Sequence, residues 1–172
     1  LCCDFNHDGS LLASGSQKGE LKVCCVKSGE QRHCFKHAKG VLTCCFSHDG
    51  ELLASGDKAG KLLVRAMPSG NTVRCFVHIG CWVRSCSFNH NSTLLACAAE
   101  EKLVLYSVHA GREVQSFDQQ KGWVWACSFN RGPAQLLASG GFPSPLIVYT
   151  VRTAELAWLA GTARTLRLTG DE

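Results

Sequence analysis

Several features of membrane proteins and nucleic-acid-binding proteins are missing from this sequence of 172 residues. It has no apolar run near the roughly 18 residues that a membrane-spanning helix requires, and it shows no basic segment followed by an apolar leader. Charged residues make up only 19% of the chain, and the net charge of +4 is spread along it without a Lys/Arg block. We therefore expect no membrane association and no nucleic-acid partner.

Recognisable catalytic and cofactor motifs are also lacking. The sequence contains no Gly-x-Ser-x-Gly, no phosphate-binding Gly-rich loop and no acidic cluster beyond the neighbours Glu100 and Glu101. His7, His48 and His90 recur at the tips of expected turns, where repetition favours a structural residue over a catalytic one. We predict no enzymatic activity, no catalytic residues and no cofactor.

Helical periodicity is absent too, and in its place one segment is repeated four times. Phe5, Phe46, Phe88 and Phe129 are separated by 41, 42 and 41 residues, and each is followed by a block that resembles "LLASG". A period near 41 residues indicates one supersecondary unit that is copied, as in the blades of a propeller. Short strands punctuated by Asp-Gly and Ser-Gly turns predict an all-β fold.

The spacing of the strands divides the chain into four units. We predict blades at residues 1–40, 41–81, 82–122 and 123–160, each with three or four short strands, and a tail of uncertain structure at residues 161–172. A possible fourth strand of the last blade lies at residues 156–159. Because residue 1 is not methionine and the pattern begins part-way through a unit, we expect a fragment of a longer protein.

The twelve cysteines follow the repeat. Cys3, Cys44, Cys86 and Cys127 each stand two residues before the repeated phenylalanine, so that alternation along a strand places both side chains on one face. This pattern favours small core residues over disulfides, and adjacent pairs such as Cys24-Cys25 point to opposite faces, which disfavours a shared zinc ion. We expect reduced thiols, no metal and an intracellular protein, with the cytoplasm preferred and the nucleus left open. A thiol-rich metal or redox-sensing protein is the alternative.

The repeated "F-[NS]-H-D-G…LLASG" blocks, the period and the Ser-Gly after the third strand resemble the WD-repeat family of β-propellers over about residues 1–152. The resemblance implies a ring of four-stranded antiparallel blades that holds partner proteins on rigid faces. Four blades do not close the seven- or eight-bladed ring usual in that family. The expected fold is therefore an incomplete all-β propeller, and its open edges permit self-association.

The sequence departs from the family at the hydrogen-bonded network that ties its blades. The Trp-Asp pair of the family falls on Cys24-Cys25, Arg65-Ala66, Tyr106-Ser107 and Tyr149-Thr150. Its turn aspartate falls on Lys18 and Lys58, and its histidine on His37, with His78 one residue out of step and Gln119 in the fourth unit. Ser14, Ser55 and Ser139 match the family serine. We expect an incomplete network in every blade and reduced stability, because half-made buried networks leave polar groups unsatisfied.

Four residues that lie shortly before Phe88 and Phe129, the third and fourth copies of the repeated phenylalanine, form a candidate binding surface. Trp82 and Trp123 stand six residues before it, and Arg84 and Trp125 stand four before it. The resemblance places these positions at the start of the innermost strand, on the narrower face that binds partners, and Trp and Arg often dominate interfaces. We predict one partner-binding patch of these four residues across two blades. The alternative is that each tryptophan packs between blades in place of the missing family tryptophan.

The leading function is therefore a non-enzymatic scaffold for other proteins, whose identity the sequence does not give. The resemblance also suggests a narrower role, as a substrate receptor or adaptor of a ubiquitin-ligase complex. The segment Tyr149-Thr150-Val151-Arg152 keeps only the arginine of the Trp-Asp-x-Arg motif used for that docking.

Overall fold

The structure is a computed structural model that describes residues 1–118, 122–143 and 146–151, together with the backbone of residues 165–167. Its strands form four antiparallel sheets, which we call blades 1 to 4. Blade 1 contains β1 (Cys2–Phe5), β2 (Leu11–Gly15), β3 (Glu20–Cys25) and β4 (Gln31–Lys36), and blade 2 contains β5 (Val41–Phe46), β6 (Leu52–Asp57), β7 (Lys61–Ala66) and β8 (Thr72–Val77). Blade 3 contains β9 (Val83–Phe88), β10 (Leu94–Ala99), β11 (Lys102–Ser107) and β12 (Arg112–Asp118), and blade 4 contains β13 (Trp123–Phe129), β14 (Leu136–Phe142), β15 (Ile147–Thr150) and β16 (Thr165–Arg167).

Each blade is a meander in which the strands lie side by side in chain order. The turn between the first two strands is tight and needs a residue with positive φ. Gly9 and Gly50 adopt φ values of 71° and 74° there, and Ser92 takes the same position in blade 3 with a φ of 59°. The predicted all-β propeller with an incomplete ring is confirmed. No helix in the described part of the chain is long and apolar enough to cross a membrane.

The last strand of blade 4 differs from the expectation. Thr165–Arg167 pairs antiparallel with β15, so that part of the predicted tail supplies a strand. The segment proposed for that strand, residues 156–159, lies outside the described residues.

The core consists of three apolar clusters, one between each pair of successive blades. The face of blade 1 that carries Ala13, Leu21 and Val23 packs against the face of blade 2 that carries Phe46 and Leu53. The same arrangement recurs between blades 2 and 3 and between blades 3 and 4. Alternation along each strand therefore gives every inner blade two buried faces.

Side chains on the innermost strands also hydrogen-bond from blade to blade. Asp4 accepts the amide proton of Phe46 at 2.7 Å, and Thr43 Oγ1 accepts that of Cys86 at 3.1 Å. Between blades 3 and 4, Ser87 Oγ accepts the amide proton of Phe129 at 3.0 Å. These bonds satisfy backbone donors that the edge of an innermost strand otherwise leaves unpaired.

The prediction of core thiols is right for three repeats and wrong for the first. Cys44, Cys86 and Cys127 are buried, whereas Cys3 is exposed and the neighbouring Phe5 is 56% exposed. The reason is that no described strand lies against that face of blade 1. All twelve cysteines are free thiols.

The sequence predicts an incomplete network in every blade, but in blade 2 the network is present. One of its members is not the residue that the spacing predicts. The turn aspartate is Asp57, at the end of β6, and not Lys58. His37 Nδ1 lies 3.0 Å from Asp57 Oδ2, and its Nε2 lies 3.0 Å from Ser55 Oγ. Arg65 occupies the place of the family tryptophan, donates to Ser55 Oγ at 3.0 Å and stacks over Phe35 at 4.4 Å.

Blade 3 has a second variant of the same network. His78 is not out of position, because its amide donates to Gly60 as the His37 amide donates to Gly19, both at 2.8 Å. Its Nε2 lies 3.1 Å from the hydroxyl of Tyr106 and 3.4 Å from Cys97 Sγ. Burial raises the pKa of both Tyr106 and Cys97, so both groups stay protonated as donors. In blade 4, the candidate Gln119 lies outside the described residues.

Candidate partner-binding face

The four residues of the predicted patch lie where the innermost strands of blades 3 and 4 begin. In both strands the pairing register shifts, so that Arg84 and Trp125 are extra residues without a partner on the neighbouring strand. Leu42 holds the equivalent position in blade 2. A β-bulge redirects the side chain of its extra residue. The side chains of Arg84 and Trp125 therefore do not follow the regular alternation of their strands.

The structure brings these four side chains together around the guanidinium group of Arg84. Its Cζ lies 5.0 Å from the ring centroid of Trp82, 5.1 Å from that of Trp123 and 6.0 Å from that of Trp125. Lys58 Nζ lies 5.1 Å from the ring of Trp82 and adds a second cation. Each such cation–π contact is worth about 0.5–1 kcal/mol at an exposed site. Arg84 therefore joins blades 3 and 4 at this face.

None of the three tryptophans is buried. Trp82 is 39% exposed, Trp123 is 45% exposed and Trp125 is 51% exposed. Ordinary core residues of this size lose nearly all of their accessible surface, and clustered exposed aromatic side chains are uncommon on isolated globular proteins. Their role in binding a partner stays a prediction.

One donor in the patch has no acceptor among the described residues. Arg84 Nε is buried and has no hydrogen-bond partner in the part of the chain that the structure describes. A buried donor without an acceptor costs about 1–3 kcal/mol.

Next to the patch lies a cleft of about 740 Å³ that is bounded by Glu101, Trp123, Trp125, Phe142 and Pro143. Phe142 is 69% exposed, and its ring centroid lies 6.5 Å from that of Trp125. Sequence reasoning missed this residue. Phe142 ends β14 directly opposite Trp123, a neighbour that only the register of the two strands reveals. The cleft extends the aromatic surface with one acidic residue on its rim.

The repeated turn histidines lie apart from this patch and contact one another. The ring centroids of His7 and His48 lie 4.3 Å apart, and those of His48 and His90 lie 4.6 Å apart. Partial desolvation, together with the nearby His7, His90 and Arg131, lowers the pKa of His48. The four turn tips therefore converge at one mouth of the groove that the innermost strands line.

Comparison with known proteins identifies the family. The profile described as "WD domain, G-beta repeat" of the WD40 family matches residues 1–24, 29–64 and 70–107, which is more than half of the chain. The chain belongs to the WD40 family. WD40 domains mediate protein–protein interactions and generally act as non-enzymatic scaffolds.

Solved WD40 structures match the fold over most of this chain. "Structure of U3-55K" has a TM-score of 0.80 at 19% identity, and covers 87% of this chain and 48% of its own. "Crystal structure of RRP9 WD40 repeats" has a TM-score of 0.80 at 20% identity, with 87% and 47% covered. "Crystal Structure of Mitotic Checkpoint Complex" contains a chain with a TM-score of 0.78 at 19% identity, with 88% and 49% covered. This WD40 chain therefore spans about half the length of these structures, and identities this low show the fold alone.

A search of curated proteins gives no significant match. Among the described residues there is no group of three or more His, Cys, Asp or Glu side chains that could hold a metal ion. Arg152, on which the ubiquitin-ligase docking motif depends, lies outside the described residues.

Proposed function

We propose that this WD40 chain is a non-enzymatic scaffold that binds another protein through the tryptophan–arginine patch, defined as Trp82, Arg84, Trp123 and Trp125. The observation that carries the proposal is the position of Arg84, within 5.0 to 6.0 Å of three half-exposed tryptophan rings. Trp and Arg are the residues whose truncation most often costs binding energy in interfaces. Such a rigid aromatic surface loses little side-chain entropy when a partner covers it.

The positive charge of Arg84 at the centre of the three rings favours a partner that brings an acidic or carbonyl oxygen to this face. A charge-assisted hydrogen bond from the guanidinium to a carboxylate is stronger than a neutral one. The adjoining cleft between Trp125 and Phe142 then receives an apolar side chain of the partner. The compartment proposed for this interaction is intracellular, in keeping with twelve free thiols.

Quantitative affinity capture tests the proposal. The wild-type chain, a variant with Trp82→Ala, Arg84→Ala and Trp125→Ala, and a control with Val26→Ala and Val77→Ala serve as baits in extract of the source cells. Val26 and Val77 are 49% and 57% exposed, so that the control truncates exposed apolar side chains outside the patch. We expect proteins that are retained by the wild type and the control and lost from the patch variant. Equal recovery by all three baits contradicts the proposal.

A second candidate, a thiol-based redox sensor, is supported by one contact. Cys45 Sγ and Cys86 Sγ, on the innermost strands of blades 2 and 3, lie 3.3 Å apart. The environment of Cys45 opposes reactivity, because the hydrogen bond to Cys86 and burial raise its pKa. Mass spectrometry after mild oxidation decides between the two functions. A Cys45–Cys86 disulfide that forms in the folded chain supports the sensor, and its absence supports the scaffold.

A further inference from the structure

The outermost strand of blade 2, β8, exposes apolar side chains at its free edge. Val77 is 57% exposed, and Cys75, two residues before it on the same face of the strand, is also exposed. Val73, near the start of β8, is 38% exposed, and Ile79, in the loop that follows, is 91% exposed. Blade 2 thus has an apolar outer rim that the core does not cover.

The outermost strands of the neighbouring blades expose polar side chains instead. Lys36 of β4 holds the position of Val77, because Lys36 lies opposite Glu20 in blade 1 as Val77 lies opposite Lys61 in blade 2. In β12 of blade 3 the exposed residues are Arg112, Glu113 and Ser116. Charged side chains on an edge strand oppose its pairing with another chain. None of the exposed residues of β8 is charged, so this edge lacks that protection.

The backbone groups of the same residues point away from the blade. The His78 amide donates to the Gly60 carbonyl at 2.8 Å, so that His78 faces the neighbouring strand. Because backbone groups alternate along a strand, the N–H and C=O groups of Cys75 and Val77 face outward. No strand in the described part of the chain pairs with that side of β8. The carbonyl of Val73 is already used, since the Arg74 guanidinium donates to it at 2.7 Å.

This edge is complementary to a second copy of itself. When Cys75 of one copy lies opposite Val77 of the other, every outward N–H of these residues faces an outward C=O, and the two Val77 side chains become diagonal neighbours. Neither is charged, and Lys61 lies one strand farther in. The same arrangement on β4 would place the two Lys36 side chains on diagonal positions about 7–8 Å apart, where like charges repel. Charge therefore permits self-pairing at β8 and opposes it at β4.

We propose that two copies of this chain pair antiparallel through β8, which joins their two four-stranded sheets of blade 2 into one continuous sheet. Cys75 of each copy lies opposite Val77 of the other, and each of these pairs exchanges two backbone hydrogen bonds. Ile79 comes to lie near Val73 of the second copy. The arrangement has two-fold symmetry, so that a single contact closes the dimer.

The contact involves few residues of each copy. Interfaces below about 1,200 Å² are typical of weak complexes, and we therefore expect an association that approaches completion only at high protein concentration. No residue of the tryptophan–arginine patch belongs to β8. The dimer is thus independent of the partner binding proposed above.

Sedimentation velocity under reducing conditions tests the proposal at concentrations from about 5 to about 500 µM. We expect the average mass to rise from the 18.6 kDa of one chain towards twice that value. Val77→Glu should require about tenfold higher concentration for the same rise, because it places like charges on diagonal positions. This variant should fold, since the new carboxylate faces Lys61 as Lys36 faces Glu20 in blade 1.

The control is Val26→Glu, at a residue that is 49% exposed and lies outside β8. It should associate as the wild type does. A wild type that stays monomeric at the highest concentration overturns the proposal, and so does equal association of the wild type and Val77→Glu.

A second substitution tests the pairing register. Cys75→Lys combined with Val77→Glu puts opposite charges face to face in both strand pairs, so the double variant should associate more strongly than Val77→Glu alone. If Cys75 instead lay opposite Cys75, the two new lysines would face each other and association would weaken further. That result, or no recovery, contradicts the proposed pairing.

Thiol labelling gives a readout that needs no substitution. The alkylation rate of Cys75 should fall in proportion to the fraction of dimer, because the second copy covers this thiol. Cys34 is the matched control, since it is exposed and lies opposite Lys22 in blade 1 as Cys75 lies opposite Leu63 in blade 2. Cys34 should react at the same rate at every concentration. A constant rate for Cys75 where the mass doubles would show that the copies meet elsewhere.

Discussion

His37 and Asp57 come from different blades, and yet His37 Nδ1 lies 3.0 Å from a carboxylate oxygen of Asp57, with both side chains fully buried. A carboxylate can only accept, so Nδ1 carries the proton, and Nε2 of the neutral ring accepts from the Ser55 hydroxyl. Arg65 in turn donates to Ser55. This chain of bonds ties blade 1 to blade 2 with an arginine in the place of the family tryptophan.

Removing the central hydroxyl of this network should destabilise the fold. Ser55→Ala leaves His37 Nε2 and an Arg65 donor without a buried partner, and we expect a loss of about 1–3 kcal/mol in the free energy of unfolding. Ser14 is the equivalent residue of blade 1 and is exposed, so Ser14→Ala should change stability by less than about 0.5 kcal/mol. Urea titration followed by circular dichroism measures both. Equal effects of the two substitutions would mean that the network contributes nothing.

Stability should also fall in mild acid. Burial lowers the pKa of His37, against the opposing effect of Asp57, and it lowers the pKa of His78 beside Lys102. The unfolded chain therefore takes up protons near the ordinary value of 6.5, whereas the folded chain does not until lower pH. The free energy of unfolding should be flat above that value and decrease below it, by at most about 1.4 kcal/mol per pH unit for each histidine.

Substitution identifies the histidines that cause this dependence. His37→Asn combined with His78→Gln should reduce the slope of unfolding free energy against pH below 6.5. His109 is exposed, and His109→Asn should leave the slope as it is in the wild type. If the slope is equally steep in the double variant, the pH dependence comes from groups other than His37 and His78.

Cysteine reactivity should follow burial and not position in the repeat. Burial raises the pKa of Cys97, and it raises the pKa of Cys127 to about 12, so that Cys127 has about a thousandfold less thiolate than an ordinary cysteine at neutral pH. Cys3, Cys34 and Cys75 are exposed and should be alkylated before these two. Peptide mass spectrometry after timed alkylation gives the order, and early labelling of Cys97 or Cys127 would contradict the core position of these thiols.

Arg84 should shield the tryptophans of the patch from solvent. Arg84→Ala removes the group that lies 5.0 to 6.0 Å from three rings, and we expect stronger quenching of tryptophan fluorescence by acrylamide. Arg84→Lys restores the charge but not the flat guanidinium, so it should give an intermediate value. Arg74, which binds the carbonyls of Val108 and His109, provides the control substitution Arg74→Ala. An unchanged quenching constant in Arg84→Ala would show that the stacked arrangement does not persist in solution.

The fold could be predicted from the sequence because its information is local and repeated. The spacing of Phe5, Phe46, Phe88 and Phe129 and the Gly9 and Gly50 turns determine strand order and the buried faces. The alternation of side chains along a strand shows which residues share a face, but it does not show whether another sheet covers that face. This is why the same Cys and Phe pattern is buried in blade 2 and exposed at Cys3 and Phe5.

The hydrogen-bonded network around Ser55 and the tryptophan–arginine patch show what sequence spacing alone does not predict. Asp57 directly follows "LLASG", but matching by position selected Lys58, because a shift of one residue is invisible without strand pairing. Trp82, Arg84, Trp123 and Trp125 were found because they share fixed distances from the repeated phenylalanine. Phe142 has no such relation and becomes a neighbour of Trp123 only through the register of β13 and β14.

The dissociation constant of a captured partner tests the central claim most directly. Isothermal titration with purified partner should give about thirtyfold weaker binding for Trp125→Ala and for Arg84→Ala, which corresponds to the roughly 2 kcal/mol expected of interface hot spots. Val26→Ala should bind within about twofold of the wild type, because Val26 is exposed (49%) but does not belong to the patch. If all three variants bind as the wild type does, the tryptophan–arginine patch is not the surface by which this WD40 scaffold holds its partner.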